Sequence, residues 1–399
     1  MARPHRDFLP AAVGLILCLG LAGRALAAEP LPPRVTFAGT LMLPDTAPAA
    51  DGRGDVPVTG LSGVTWLGED RFAAIMDNSD RLLLFRLAFS RTGVPEAVSE
   101  LRVVMLGERL DYEDVAACPP RLLERIAEKR RARGDAVPTN CLLVCEEQTP
   151  ALRAIDIDTG VLLGIVPIPP IAKTRRHNRG LESLAIEPDG SHIWTATEEA
   201  VPADGPGSTS TAGTVVRLMR IAVPGAESAK GEAQFAYAVD PPHRFVRVFT
   251  GEPLSGVTAL AVLDRGRLLV LERAAGPGLP PFFSSIYLVE TAAAPDVTDV
   301  PDGLAVRDDL HVAKTLLWQD ALGCNIEGLC LGPALPDGGR ALVAVADNGG
   351  LGTPNQLIGL VLRETPRAVD ATAVGGAAAI VGVALLLVRI TSPSPCSTR

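Results

Sequence analysis

The chain has 399 residues, 47% hydrophobic and 21% charged, with a formal net charge of -9. That length fits one large domain or two ordinary ones. The negative balance argues against nucleic acid as a partner, because backbone binding needs a basic face; a cation or a basic ligand suits the sign better.

The N-terminus reads as a secretory signal peptide over residues 1–27: Arg3 and Arg6, an apolar run over 9–21, then the small-x-small site Ala25-Leu26-Ala27. A Pro-rich start at 30–33 leads into a predicted strand over 35–43, then a loop over 44–57 rich in Ala, Pro, Asp and Gly. Strands follow over 64–67 and 72–76, turned by Gly68-Glu69-Asp70, and over 81–89 and 99–106. Four antiparallel strands are the content of a propeller blade.

The second copy opens at Tyr112 with YEDVAA and is interrupted by an amphipathic helix over 119–135, with Leu122, Leu123 and Ile126 on one side. Its basic run reads as a solvated face. Strands over 142–145, 152–156 and 161–168 complete that copy. The third runs NRGLESLAIEPDGSHIWTATEE from Asn178, a strand bearing Glu182, the turn Pro188-Asp189-Gly190 and a strand over 192–197, with outer strands over 214–221 and 234–237. The fourth has strands over 257–263, 267–271, 285–290 and 314–318; the fifth has 328–331, 341–346 and 356–362, and is one strand short.

Repeats starting about 50 to 75 residues apart point to a propeller. The expected fold is all-β, a five-bladed β-propeller over residues 34–365, with the strand over 35–43 lent to the last blade so that no edge is left over. A sixth blade requires a degenerate repeat hidden in 214–248. Beyond the propeller, residues 371–390 read ATAVGGAAAIVGVALLLVRI. At about 1.5 Å per residue such a helix spans a hydrocarbon core of about 30 Å. It is expected to be a transmembrane helix, with 391–399 a short cytoplasmic tail: Arg389 ends the apolar segment, Arg399 ends the tail, and no acid lies in either. The propeller is then exported and anchored to the cytoplasmic membrane on its periplasmic or extracellular side. Of seven cysteines, Cys18 goes with the signal and Cys396 with the tail; of the other five, Cys118 and Cys141 flank the helical insert and are the best disulfide candidate, Cys324 and Cys330 could pair across a short loop, and Cys145 is left over.

Laid over one another, the repeats place an acid of the first strand at Glu113, Glu182 and Glu327, with Ser62 and Thr258 in the other two copies. A strand-end acid falls at Asp77, Glu146, Glu198, Glu272 and Asp347. Equivalent positions in a propeller surround the channel, so a ring of carboxylates is expected at one mouth, and these five with Glu113 are the candidate metal ligands. Glu147 is expected to stand out of register. Crowded acids raise one another's pKa unless paired. Hard cations, calcium above all, are one partner; Arg175, Arg176, His177, Arg179 and Arg273 are another. The bland alternative is that these acids bind backbone amides between blades. The five histidines share no metal-ligand spacing, and Gly60-Leu61-Ser62-Gly63 lacks the length and the helix of a nucleophile elbow.

The pair NRGLESLAIEPDG and NIEGLCLG, with GLSGVTW before them and VAVADN after, resembles the phytase-like domain family, also described as the esterase-like activity of phytase family, over roughly residues 58–363. The resemblance implies a secreted or envelope-anchored β-propeller that hydrolyses phosphate or carboxylic esters, with calcium in an acidic mouth. On this footing Glu182, Glu327 and Arg179 are the catalytic candidates, and Arg179, Arg273 and Asn178 would hold a small anionic or ester substrate. The alternative is a non-catalytic propeller acting as a binding or scaffold module.

Overall fold

Short apolar runs of period two, broken by glycine-bearing turns, form five four-stranded antiparallel sheets. The computed structural model describes residues 32–223, 232–347 and 354–364. Pro33–Arg363 forms one compact unit.

From the axis outward, the first blade is Leu61–Trp66, Arg71–Met76, Ser79–Phe89 and Pro95–Leu110. The second is Tyr112–Ala117, Cys141–Glu146, Ala151–Asp156 and Leu162–Val166; the third is Leu181–Ile186, His192–Thr197, Val215–Ala222 and Ala233–Ala238. The fourth is Leu254–Asp264, Arg267–Ala275, Phe282–Glu290 and Lys314–Asp320. The fifth is Asn325–Ala334, Arg340–Asp347 and Gln356–Arg363, completed by the N-terminal strand Arg34–Met42. That last pairing runs antiparallel from Arg34 opposite Arg363 to Met42 opposite Gln356. The inner strands neighbour one another in sequence order, and the fifth returns to the first. The ring therefore has five blades. The stretch 214–248 holds the outer strands of the third blade and half of a two-residue ribbon, Val246–Arg247 with Gly278–Leu279, rather than a sixth blade.

Alternation along each strand feeds two cores at once. In Arg71–Met76, Phe72, Ala74 and Met76 pack toward the fifth blade, while Ala73 and Ile75 pack toward the second. A buried cluster of this kind fills every interval between consecutive blades. The insert helix is Pro120–Arg133: Pro120 opens it, Gly134 ends it at φ 75°, and Leu122, Ile126 and Ala127 bury against the second blade.

The expected signal peptide over 1–27, transmembrane helix over 371–390 and tail over 391–399 lie outside the described residues. Among the described residues no helix is long and apolar enough to cross a membrane. Cys118 is joined to Cys141, with Cα atoms 5.3 Å apart, and Cys145, Cys324 and Cys330 are free. The pairing of Cys324 with Cys330 fails because an extended strand separates them: six residues at about 3.3 Å each carry the two far apart.

The disulfide closes the helical insert, so replacing Cys118 and Cys141 by Ser is expected to cost roughly 3 kcal/mol of stability in the chain-entropy description. Equilibrium unfolding of the double variant measures this, and peptide mapping without reduction should recover the linked pair; freely alkylated thiols would contradict it.

Candidate functional site: an acidic channel mouth

Each inner strand starts with the same irregularity. Its pairing with the second strand skips one residue, between Leu61 and Gly63, Tyr112 and Asp114, Leu181 and Ser183, Val257 and Ala259, and Ile326 and Gly328. The skipped residues are Ser62, Glu113, Glu182, Thr258 and Glu327. A bulge bends its strand and re-aims a side chain. Here Ser62 Oγ donates to Glu113 Oε2 at 2.9 Å, and Glu113, Glu182 and Glu327 come within electrostatic reach of one another.

One position past the partner of the residue before each bulge stand Asp77, Glu147, Glu198, Arg273 and Asp347. One position before the residue that precedes each bulge stand Gly60, Asp111, Gly180, Gly256 and Asn325. Gly180 and Gly256 are steric necessities, whereas Gly60 answers to its φ of 64°. A Cβ on Gly180 would lie 2.6 Å from Glu147 Cγ, and one on Gly256 would lie 2.5 Å from Glu198 Cγ. Their absence lets Glu147 accept a hydrogen bond from the Gly180 amide of the next blade.

The site divides into a compensated and an uncompensated half. On the third and fourth blades, Arg179 Nη1 donates to Glu198 Oε2 at 2.7 Å and Arg273 Nη2 to Glu198 Oε1 at 2.8 Å; Arg273 also lies 3.6 Å from Glu327. Burial opposes the charge on Arg273, but Glu198 and Glu327 hold its pKa above the ordinary value. Asn325 Nδ2 donates to Glu327 at 2.7 Å. On the first to third blades, carboxylates meet mainly carboxylates. Oxygens of Asp77, Asp111 and Glu113 lie within 4.8 Å of one another, as do those of Glu113, Glu147 and Glu182. Glu113 belongs to both groups. Asp111 is 3% exposed, and its Oδ1 has no hydrogen-bond partner among the described residues.

Proton affinities follow. Burial, reinforced by a hydrogen bond shared with Asp111, pushes Asp77 from 3.8 to about 8. Burial, with help from Asp111 and Glu198, pushes Glu147 up to about 7. Glu327 also rises to about 7 through burial, against the pull of Arg273. Glu113 and Glu182 are driven well above the carboxylate range, first by burial and then by their acidic neighbours.

Asp77, Glu113, Glu182, Glu198, Glu327, Asp347, Arg179 and Arg273 stand at this mouth. Glu146 and Glu272 do not. Glu146 accepts from the Thr149 amide at 2.8 and 3.0 Å and lies 3.7 Å from Arg153. Glu272 accepts from Tyr237 Oη and Lys314 Nζ, both at 2.6 Å. Successive strand residues face opposite sides, so an offset of one sends both acids between blades, and Glu147 and Arg273 take the mouth positions instead. The expectation that Glu147 stands out of register is thereby reversed. Asn178 has an exposed side chain and φ 55°, so it forms the left-handed turn that leads into Arg179. Arg175 donates to the carbonyls of Arg176 and Gln148, and Arg176 to those of Ala200 and Gly205, so both tie loops. Asp111 and Glu147 escaped sequence reasoning, although a signal was present: the mouth acid is followed by its amide homologue in Asp77-Asn78, Glu147-Gln148 and Asp347-Asn348.

A family model described as "Phytase-like: Esterase-like activity of phytase" matches residues 56–350. No curated protein sequence matches the chain. Among solved structures, the chain is similar to an endo-arabinase from Bacteroides thetaiotaomicron VPI-5482, with TM-score 0.39 and 10% identity, over 79% of this chain and 96% of that one. It is also similar to the PQQ-bound aldose sugar dehydrogenase of Streptomyces coelicolor, with TM-score 0.37 and 13% identity, over 84% and 100%.

The raised acids set a pH dependence. Groups protonated in the folded state but ionised in the unfolded state between their two pKa values make stability fall as pH rises. With Asp77 at about 8 and Glu147 and Glu327 at about 7, against ordinary values of 3.8 and 4.5, chelator-treated protein is expected to lose stability as pH rises from about 4 toward 8. Thermal melts across that range check it; a midpoint that climbs steadily to pH 8 contradicts the crowded-carboxylate picture.

Proposed function

From the premise that this chain belongs to the phytase-like family, we propose that its acidic mouth is a calcium site serving the hydrolysis of phosphate or carboxylic esters. The observation that carries the proposal is the pair of all-oxygen groups sharing Glu113, one of them containing Asp111, whose Oδ1 has no hydrogen-bond partner among the described residues. Carboxylate oxygens without nitrogen or sulfur suit a hard cation that takes six to eight oxygen ligands. The residues that would hold it are Asp77, Asp111, Glu113, Glu147 and Glu182. Glu198 is already committed to Arg179 and Arg273. When bound, calcium supplies positive charge that polarises a substrate oxygen and acidifies a coordinated water.

The chain's own groups supply the rest. Arg179 and Arg273 are half-buried at the mouth, and after closing on Glu198 they still present cationic edges to an anionic substrate. Glu327 is half-buried beside Arg273, and its pKa of about 7 suits proton exchange near neutrality. Export and anchoring belong to the same proposal, supported by the leader over 1–27 and the apolar segment over 371–390. A chain ended after residue 367 should leave the membrane fraction as a folded body; if it stays with membranes, the anchor lies elsewhere.

Calcium at a hundredfold excess over its dissociation constant is expected to stabilise the fold by about 2.7 kcal/mol. Glu147→Gln and Glu182→Gln should diminish that gain, whereas Glu146→Gln should keep it. Glu327→Gln should lower turnover of aryl phosphates or carboxylic esters by on the order of a hundredfold. Calcium stabilisation with no turnover across the panel would leave a cation-binding module instead of a hydrolase; no calcium effect on the melt would remove the metal site itself.

A further inference from the structure

The channel has a second end. Where the inner strands reach Trp66, Ala117, Ile186, Val262 and Leu331, they surround a cavity of about 490 Å³. That volume lies within the roughly 300 to 1,000 Å³ of small-molecule sites. The wall is largely aliphatic and aromatic, including Val115, Leu184 and Leu329. One cation, Arg340, lines it.

Arg340 is half-buried and opens the second strand of the fifth blade. Among the described residues its guanidinium makes one hydrogen bond, from Nε to the Gly332 carbonyl at 3.1 Å. No carboxylate holds it, and burial lowers its pKa. Arg217 grips Asp204 at 2.6 Å, Arg220 grips Glu187 at 2.6 Å and Arg273 grips Glu198 at 2.8 Å, while Arg175 and Arg176 each donate to two backbone carbonyls. The acids on the cavity wall are engaged elsewhere. Glu187 is held by Arg220, and Asp189 accepts from the Ser191 amide at 2.9 Å and its Oγ at 2.6 Å. A partly desolvated guanidinium with no counterion costs free energy. Its two terminal nitrogens form a fork suited to a carboxylate.

We propose that this end of the channel is a second ligand site, and that it binds an amphipathic monoanion, a carboxylate gripped by Arg340 whose aliphatic or aryl body packs on the apolar wall. A dianion fits less well, since one guanidinium faces it and Asp189 lies at the rim. The site is independent of the acidic mouth, which occupies the opposite ends of the same strands.

Calorimetric titration of the full chain tests this, with octanoate and benzoate as probes and octanol and inorganic phosphate as comparators. Octanoate should bind saturably and more tightly than octanol or phosphate. Arg340→Met should weaken octanoate by on the order of 10- to 100-fold, the span expected for hydrogen bonds to a charged group, and leave octanol unchanged. Leu331→Trp, at the half-buried rim, should block octanoate by filling the volume while keeping the charge. Glu182→Gln should leave octanoate binding intact, which separates this site from the acidic mouth. Absence of saturable octanoate binding to the unmodified chain, equal affinity in Arg340→Met, or phosphate binding as tightly as octanoate would overturn the proposal.

Discussion

The ladder between Arg34–Met42 and Gln356–Arg363 is the contact on which the rest of the structure depends. It joins the N-terminal strand to the last strand of the fifth blade and brings that blade to four strands like the others. Ring closure forces five inner strands around one axis, and each interval between blades then becomes a buried core. A residue that would be harmless in an open sheet is pressed against its counterparts once the ring closes. The bulges at Ser62, Glu113, Glu182, Thr258 and Glu327 exploit this crowding, because each re-aims one side chain at the same level of the axis.

Charge is distributed unevenly around that level. The fourth blade substitutes Arg273 for the acid of the other blades, and Arg179 reaches in from the third, so Glu198 between them is neutralised twice. Among the described residues the first and second blades place no such guanidinium at the mouth. Their acids respond as buried carboxylates must when water is excluded and no cation is near: they hold protons to higher pH. The asymmetry separates an oxygen-rich half that suits a hard cation from a guanidinium-bearing half that suits an anion. A symmetric ring would offer neither.

The two ends of the channel contrast for a related reason. At the far end the inner strands carry Trp66, Ala117, Ile186, Val262 and Leu331 in place of acids, and the one cation on the lining, Arg340, faces a largely apolar wall. Excess negative charge at one end and an unmatched positive charge at the other are both unsettled within the folded chain, and each would be relieved by a ligand of opposite sign.

Much of this architecture was legible in the sequence alone, because its signals are local. Period-two runs and Gly-containing turns marked the blade strands to within a few residues, the fifth copy was visibly a strand short, and the unassigned strand near residue 35 supplied the missing piece. The inner-strand acids Glu113, Glu182 and Glu327 were legible as well, since every copy presents that position in the same short motif. The second-strand acids were not. Which member of Glu146-Glu147 or Glu272-Arg273 faces the axis depends on a bulge in the neighbouring strand, and one skipped residue exchanges the two faces. Asp111 occupies a position that is glycine in three other blades, so its role emerged only when ring closure brought Asp77 and Glu113 beside it. Local chemistry determined the strands and their number. Register and closure, which join residues tens of positions apart, decided which side chains meet.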